Sequence, residues 1–408
     1  MDYFMYRTLI TLLVLFVPYL LLQAQSIFSA AENGIGLRQY TTSVRGAGLG
    51  GTGLALTDSA SLNAYNIASW RKINNTKINL SLRYHQSTTE IAVKNQSQSF
   101  SSSTANFNGL QLGIPIQKKK WIFGISVSPY AVTKFSYILK YQTGDINYEE
   151  NVFYEGNIAR SQINLIWSPN ARWGIAASLN YFFGAIEDRY YILFNDNPQL
   201  SDDYYKIEYR FRGPGIGASF DFNPVDPWVL GAFIDFKPRI NYSRISVSPI
   251  NLEEQTYQDK TTFPVFAGLG SSYRFLTTWT FSADVVYQDW SEGLQLDQEV
   301  QNLQEYGQIG IGLEHSHSRE KTRKFLKKFD SRIGFSYSKT GYIFNSRSIN
   351  EYMLHAGFGF PFFQGQARLD LAFIAGIRGN KDETIVEEKF IKTLISVSAG
   401  ELWFQKER

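Results

Sequence analysis

The sequence predicts an all-β protein: a transmembrane antiparallel β-barrel of about fourteen strands, with an N-terminal segment folded into its lumen as a plug. Three observations carry this reading. Apolar and polar residues alternate with period two in run after run beyond residue 75, which is the pattern of strands with one apolar and one wet face. Aromatic residues make up 16% of the 408-residue chain, led by 31 Phe and 25 Tyr, yet the mean hydropathy is slightly polar at -0.23. A membrane barrel combines these two properties, because its interior and long loops are polar. Finally, the connections alternate between short and long, with the short turns expected on the periplasmic side.

Residues 1–24 read as a secretory signal peptide. Arg7 supplies the positive charge, Thr8 to Leu22 form the apolar centre, and Ala24 is a small residue ahead of the cleavage point at Gln25. The run is short for a membrane helix and contains Pro18, and no later stretch approaches the roughly eighteen apolar residues of a spanning helix. The expected destination is the outer membrane of a Gram-negative cell. The chain has no Cys, so packing and hydrogen bonding rather than disulfides must hold it. A net charge of +3 makes no case for a nucleic-acid partner.

Residues 25–75 are expected to form the plug. Within them, residues 45–70 read RGAGLGGTGLALTDSASLNAYNIASW. Gly46, Gly48 and Gly51 match G-x-G-x-x-G, but a dinucleotide fingerprint needs a βαβ unit around it, and an antiparallel meander follows here. The steric reading is better: Gly46, Gly48, Gly50, Gly51 and Gly53 allow backbone to pack on backbone, while Ala47, Leu49, Leu54, Ala55 and Leu56 require burial. Asp58 is placed to cap a short helical turn through Ala60 and Leu62.

Residues 76–404 are expected to be the barrel. Ile78, Leu80, Leu82 and Tyr84 share one face of a strand; Asn79, Ser81, Arg83 and His85 share the other. Leu110 to Ile116, Trp121 to Val127, Ile175 to Phe183, Phe281 to Tyr287 and Leu369 to Ile377 repeat the pattern. Tight turns fall at Gln117–Lys120, Ser168–Arg172, Asn223–Pro227, Leu276–Thr278 and Phe363–Gln366. Longer polar loops are expected near 86–104, 136–152, 187–204, 245–261, 290–304, 341–351 and 378–389. One connection breaks the rule: HSHSREKTRKFLKK, residues 315–328, lies on the short side but is long and basic, and its basic part, 319–328, is a candidate docking site for a periplasmic partner. The C-terminus alternates from Ser396 and ends in Trp403-Phe404, a barrel-closing pattern. A propeller would show a repeat of about forty residues, and none is present.

At this point the N-terminal motifs resemble those of the FadL-type family of outer membrane transporters for hydrophobic compounds. Members typically show a G-x-G-G-x-x-x-A run, a D-x-x-A patch and an N-P-A triplet before strand one. This chain has Gly48-Leu49-Gly50-Gly51 with Ala55, then Asp58-Ser59-Ala60, then Asn66-Ile67-Ala68 before Trp70. The resemblance implies that Gly48, Gly50, Gly51, Asn66, Ile67 and Ala68 belong to a gating hatch. It also implies passive uptake of hydrophobic compounds such as long-chain fatty acids, released past the hatch or sideways through a kink in strand three. Pro129 is the candidate kink, because proline removes a ladder hydrogen bond. Ile67 departs from the family's proline, which would fix the backbone there.

By alternation, the inward-facing charges are Arg83, Glu187, Arg189, Glu208, Arg210, Asp221 and Arg368. They are expected to brace the wall, with one or two free to hold a carboxylate. Phe153-Tyr154 and Tyr190-Tyr191 are assigned to the aromatic girdle. No catalytic residue or metal site is expected: none of His85, His315, His317 and His355 accompanies a G-x-S-x-G motif, and His315-x-His317 is a weak metal signal alone. No cofactor is expected. The expected partners are outer membrane lipids, fatty-acid-like small molecules and the barrel assembly machinery, with the chain a monomer. The rival reading is a shuttle or accessory barrel of a type IX-like secretion system. A continuous apolar lumen would favour transport; a filled lumen with an exposed apolar loop patch would favour a protein partner.

Overall fold

A computed structural model describes residues 26 and 35–401, apart from 58, 60, 94–95, 144–145, 195–199, 249–253, 292–293, 297–298, 302, 317–328, 345, 363–366 and 385. Residues 1–24, Asp58 and Ala60, the basic connection with His317, the turn at 363–366 and Trp403-Phe404 lie outside the described residues.

A two-residue strand, β1 (Leu37–Arg38), precedes a one-turn helix at Val44–Ala47 and a 3-10 helix at Ile67–Lys72. The wall then begins with β2 (Thr76–Val93), β3 (Gln96–Gln117), β4 (Trp121–Thr143), β5 (Ile146–Asn170), β6 (Trp173–Leu193) and β7 (Asp203–Val225). β8 (Trp228–Asp235) and β9 (Arg239–Val247) follow, then β10 (Gln255–Thr262), β11 (Phe266–Phe275) and β12 (Trp279–Gln288). A small hairpin, β13 (Leu294–Leu296) and β14 (Glu299–Gln301), leads to β15 (Leu303–Ser316), β16 (Asp330–Phe344), β17 (Arg347–Phe362), β18 (Ala367–Gly379) and β19 (Val386–Glu401).

β7 pairs with β8 along its lower part and with β9 above, while β11 pairs with β8 and β10 with β9. Each of these two pairs is therefore one wall strand broken in the middle, at residues 236–238 and 263–265. Counted so, the wall is a closed antiparallel barrel of 14 strands, joined where β19 pairs with β2 from Val386↔Ile91 to Glu401↔Thr76. The alternation places Ile78, Leu80, Leu82, Leu179, Leu269, Ile333 and Leu354 on the outer surface, all exposed. Asn79, Ser81, Arg83 and His85 are buried on the inner one. Outward apolar residues cost little against lipid, where a charge at mid-membrane would cost about 2–4 kcal/mol.

The expected long loops are largely paired strand instead. β4 to β7 run 23, 25, 21 and 23 residues, against the 9–11 or so needed to cross a bilayer. The β4–β5 ladder continues to Thr143↔Ile146, through the stretch 136–152 expected to be loop. Polar side chains on both faces hide such a strand from a hydrophobic pattern, because ladder hydrogen bonds rather than burial hold it. The short turns fall as expected at 118–120, 171–172, 226–227 and 276–278. Stacked aromatic pairs mark this end of the wall: Trp121 with Trp167, and Trp173 with Phe222 at 4.1 Å between centroids.

Candidate functional site

Residues 35–75 pack inside the barrel, and glycine on both sides makes the approach possible. A Cβ on Gly48 would come 2.8 Å from the Cα of Gly357 in β17. Gly50 has φ +73, and a Cβ there would overlap the Ile311 carbonyl oxygen of β15. Gly51, also at φ +73, lies against the Gln308 side chain. The wall supplies inward-facing Gly231, Gly310, Gly312, Gly334 and Gly357 where the segment's backbone touches it.

Charged and polar contacts then fix the segment to the wall. Ser43 caps the short helix, accepting from the Gly46 amide at 3.0 Å, and within that helix Arg45 reaches Glu314 of β15. Its Nη2 and Nε donate to the two carboxylate oxygens at 2.6 and 2.8 Å. Glu314 also accepts from Arg332 of β16 at 2.7 Å, and Arg332 bridges to Asp370 of β18 at 2.8 Å. Arg368 closes the chain on Asp330 at 2.7 Å and Asp370 at 2.9 Å. Farther along, Asp284 of β12 accepts from the Gly53 and Leu54 amides at 2.7 and 2.8 Å. Arg71 and Thr57 both donate to Asp221 of β7. Bonds of this charge-assisted kind contribute about 1.5–3 kcal/mol each.

The second predicted motif is held from within. The Asn66 side chain donates to the Leu54 carbonyl at 2.6 Å, and its amide donates to Asn63 Oδ1 at 2.8 Å. The Ala68 amide donates to Ser219 Oγ of β7 at 2.9 Å. Ile67 is fully buried with Leu62, Trp70, Ile73, Ile122, Ile166 and Ala176, and its amide donates to the Tyr65 carbonyl at 3.0 Å. A proline at 67 has no hydrogen to give, so the departure from the family triplet comes with a backbone bond that proline could not form.

Pro129 stands at the foot of a split in the wall. β3 and β4 pair only from Gln117↔Trp121 up to Leu110↔Val127. Above that, Gln96–Gly109 of β3 pairs with β2 alone and Ser128–Thr143 of β4 with β5. Pro129 opposes Ala159 and Ala131 opposes Ile158, leaving Tyr130 as the extra residue of a bulge. The vacated β4 edge is taken by β1, through Leu37↔Val132 and Arg38↔Ala131, and by the Gln39 amide on the Tyr130 carbonyl at 3.0 Å. Tyr130 turns into the lumen, stacks on Phe263 at 5.2 Å and meets Phe182 edge-on. These rings belong to a large buried aromatic cluster with Tyr65, Phe211, Phe233, Phe266 and Trp290, to which Leu37 and Leu54 of the segment also belong.

Of the charges expected to face inward, Arg83, Asp221 and Arg368 are buried in the lumen. Glu187, Arg189, Glu208 and Arg210 instead form surface ion pairs in the tall part of β6 and β7. Arg210 is exposed, because alternation turns its neighbours Tyr209 and Phe211, like Ile186 beside Glu187, toward the lumenal cluster and leaves these charges on the outer face. There Arg210 and Lys206 hold the Glu208 carboxyl below its usual range. Tyr154 is buried in the aromatic cluster rather than standing in a girdle. His85 lies within β2 rather than at its end, and His355 bonds Ser336 Oγ and the Ala47 carbonyl, a packing role. Sequence reasoning missed Arg45, Glu314, Arg332 and Asp284. Alternation within β12, β15 and β16 puts the last three on the inner face and could have found them.

The closed barrel, its outward apolar belt and its occupied lumen define the class: a transmembrane β-barrel of the outer membrane type. The chain belongs to the BamG family, whose model matches residues 5–223 and 233–408. None of the curated proteins matches it. Among solved structures, a Pseudomonas aeruginosa FadL homologue superposes with a TM-score of 0.62 at 12% identity, covering 90% of this chain and 100% of that one. The toluene transporter TodX of P. putida gives 0.59 at 13%, covering 90% and 99%. The Ralstonia pickettii toluene transporter TbuX gives 0.55 at 14%, covering 90% and 98%. At these identities the likeness is one of fold.

Proposed function

We propose that the chain is an outer membrane channel for hydrophobic compounds, with residues 35–75 as its hatch and the β3–β4 split as a lateral exit. The observation that carries this is the split itself: a wall that stops pairing at Pro129, with its free edge occupied by two residues of the hatch. The shared fold with the toluene transporters TodX and TbuX supports an apolar cargo, either a small aromatic or a fatty-acid chain. The reading is non-enzymatic.

Because the chain has no Cys, a single engineered disulfide tests it cleanly. Leu37 and Val132 are directly opposed, and opposed residues of an antiparallel pair lie within disulfide range. In proteoliposomes, the Leu37→Cys/Val132→Cys variant is expected to take up labelled toluene or palmitate when reduced and to stop when oxidised. Equal uptake in both states rejects the lateral exit.

A second reading is favoured by the filled lumen and the many latches. Here the barrel is an accessory subunit whose lumen does no work, associated with the barrel assembly machinery that the family's Bam designation points to, or with a type IX-like secretion system. Gentle extraction separates the two. Enriched hydrophobic ligands in the purified barrel support the channel; stoichiometric assembly subunits without such ligands support the accessory role.

A further inference from the structure

Beside the docked segment lies a lumenal cavity of about 70 Å³, room for a few water molecules or one acetate-sized group. Its lining includes Arg38 of the segment and Arg83, His85, Glu351, Arg378 and Lys392 of the wall. The charges do not balance. Arg378 is paired with Glu351 and Glu388, and Lys392 shares Glu351. Arg38 and Arg83 have no carboxylate among these contacts. Arg38 donates to the Tyr130 carbonyl at 2.5 Å and lies 3.5 Å above its ring; Arg83 donates to the Gln39 side chain. Among the described residues, Nε and Nη2 of both guanidiniums are buried without a partner, as are both ring nitrogens of His85. Arg83 is 4% exposed and His85 2%.

Buried cations without a counter-charge are strongly disfavoured. A neutral water hydrates them without compensating them, whereas a carboxylate can take two guanidinium hydrogens at once. We infer that this cavity holds a carboxylate-class monoanion, bound between Arg38 of the hatch and Arg83 of β2 and locking one to the other. The site goes beyond the proposed channel function and is independent of it: the anion is a resident counter-ion of the closed barrel. The bound group is either a small free carboxylate or the head of a longer apolar acid.

The test is a thermal-unfolding titration of the full chain in detergent. Sodium acetate or sodium decanoate is added against sodium gluconate at matched ionic strength, gluconate being too bulky for the cavity. A ligand of the folded state raises the melting temperature with the logarithm of its concentration. Wild type is expected to respond to acetate, or to decanoate alone if the anion is a lipid head. Arg83→Gln and Arg38→Gln should each shift the half-effect concentration at least tenfold, while the exposed Arg210→Gln should leave it unchanged. Should Arg83→Gln fail to give a folded barrel, wild type and Arg38→Gln decide. A wild type that responds to neither anion, or an Arg38→Gln variant that responds as wild type does, overturns the inference.

Discussion

Replacing Glu314 by Gln should release the lumenal segment around Arg45 from the wall. Glu314 is fully buried and accepts from Arg45 of the segment, Arg332 of β16 and Ser316 of its own strand. Glutamine keeps the shape but removes the charge, leaving the Arg45 guanidinium buried without its carboxylate, while Arg332 keeps Asp370. Removing one partner of a buried pair costs about 3–5 kcal/mol, so the docked state should lose roughly two to four orders of magnitude against any undocked one. Hydrogen exchange read by mass spectrometry on detergent-solubilised protein should show faster exchange at the amides of residues 44–54, with those of β5 and β6 unchanged. A double variant, Arg45→Gln/Glu314→Gln, should recover much of the loss, because the uncompensated charge on the segment is gone. If Glu314→Gln lowers the melting temperature while exchange at 44–54 stays at the wild-type rate, then Glu314 braces only the wall and the latch argument fails.

Three further outcomes follow from the same geometry. Trp70→Ala should destabilise by about 3–5 kcal/mol, since the ring is fully buried and fills the space left by Gly113 and Gly124; denaturant unfolding followed by fluorescence measures it. Ile67→Pro should cost about 1–3 kcal/mol by orphaning the Tyr65 carbonyl, and an unchanged melting temperature would show that the segment tolerates the family's residue. Pro129→Val should restore a ladder donor at the foot of the split and slow uptake several-fold in the liposome assay; undiminished uptake would separate the split from transport.

Much of the barrel was legible because a lipid-facing strand must show its apolar side to every second residue, as Ile78, Leu80 and Leu82 do. The close packing of the N-terminal glycines was legible for a related reason, since no side chain fits between Gly48 and Gly357. The tall hairpins were not, because strands wet on both faces carry no periodic signal, and Glu149, Glu150 and Asp203 read equally well as loop. The lumenal network was half legible. Alternation marks Arg332 and Asp370 as inward, but only the closed wall brings β15, β16 and β18 into one charged network. Arg45 joins that network through Glu314, nearly 270 residues away in the chain, and leaves no local trace.

That separation also bears on how the molecule is made. The lumenal segment touches β7 and β8 on one side and β15 to β18 on the other, so its docking surface does not exist until most of the wall has been translated. The barrel is joined where β19 pairs with β2, the last wall strand with the first. Docking of the segment and closure of the seam both rest on contacts between distant parts of the chain, and such contacts form slowly.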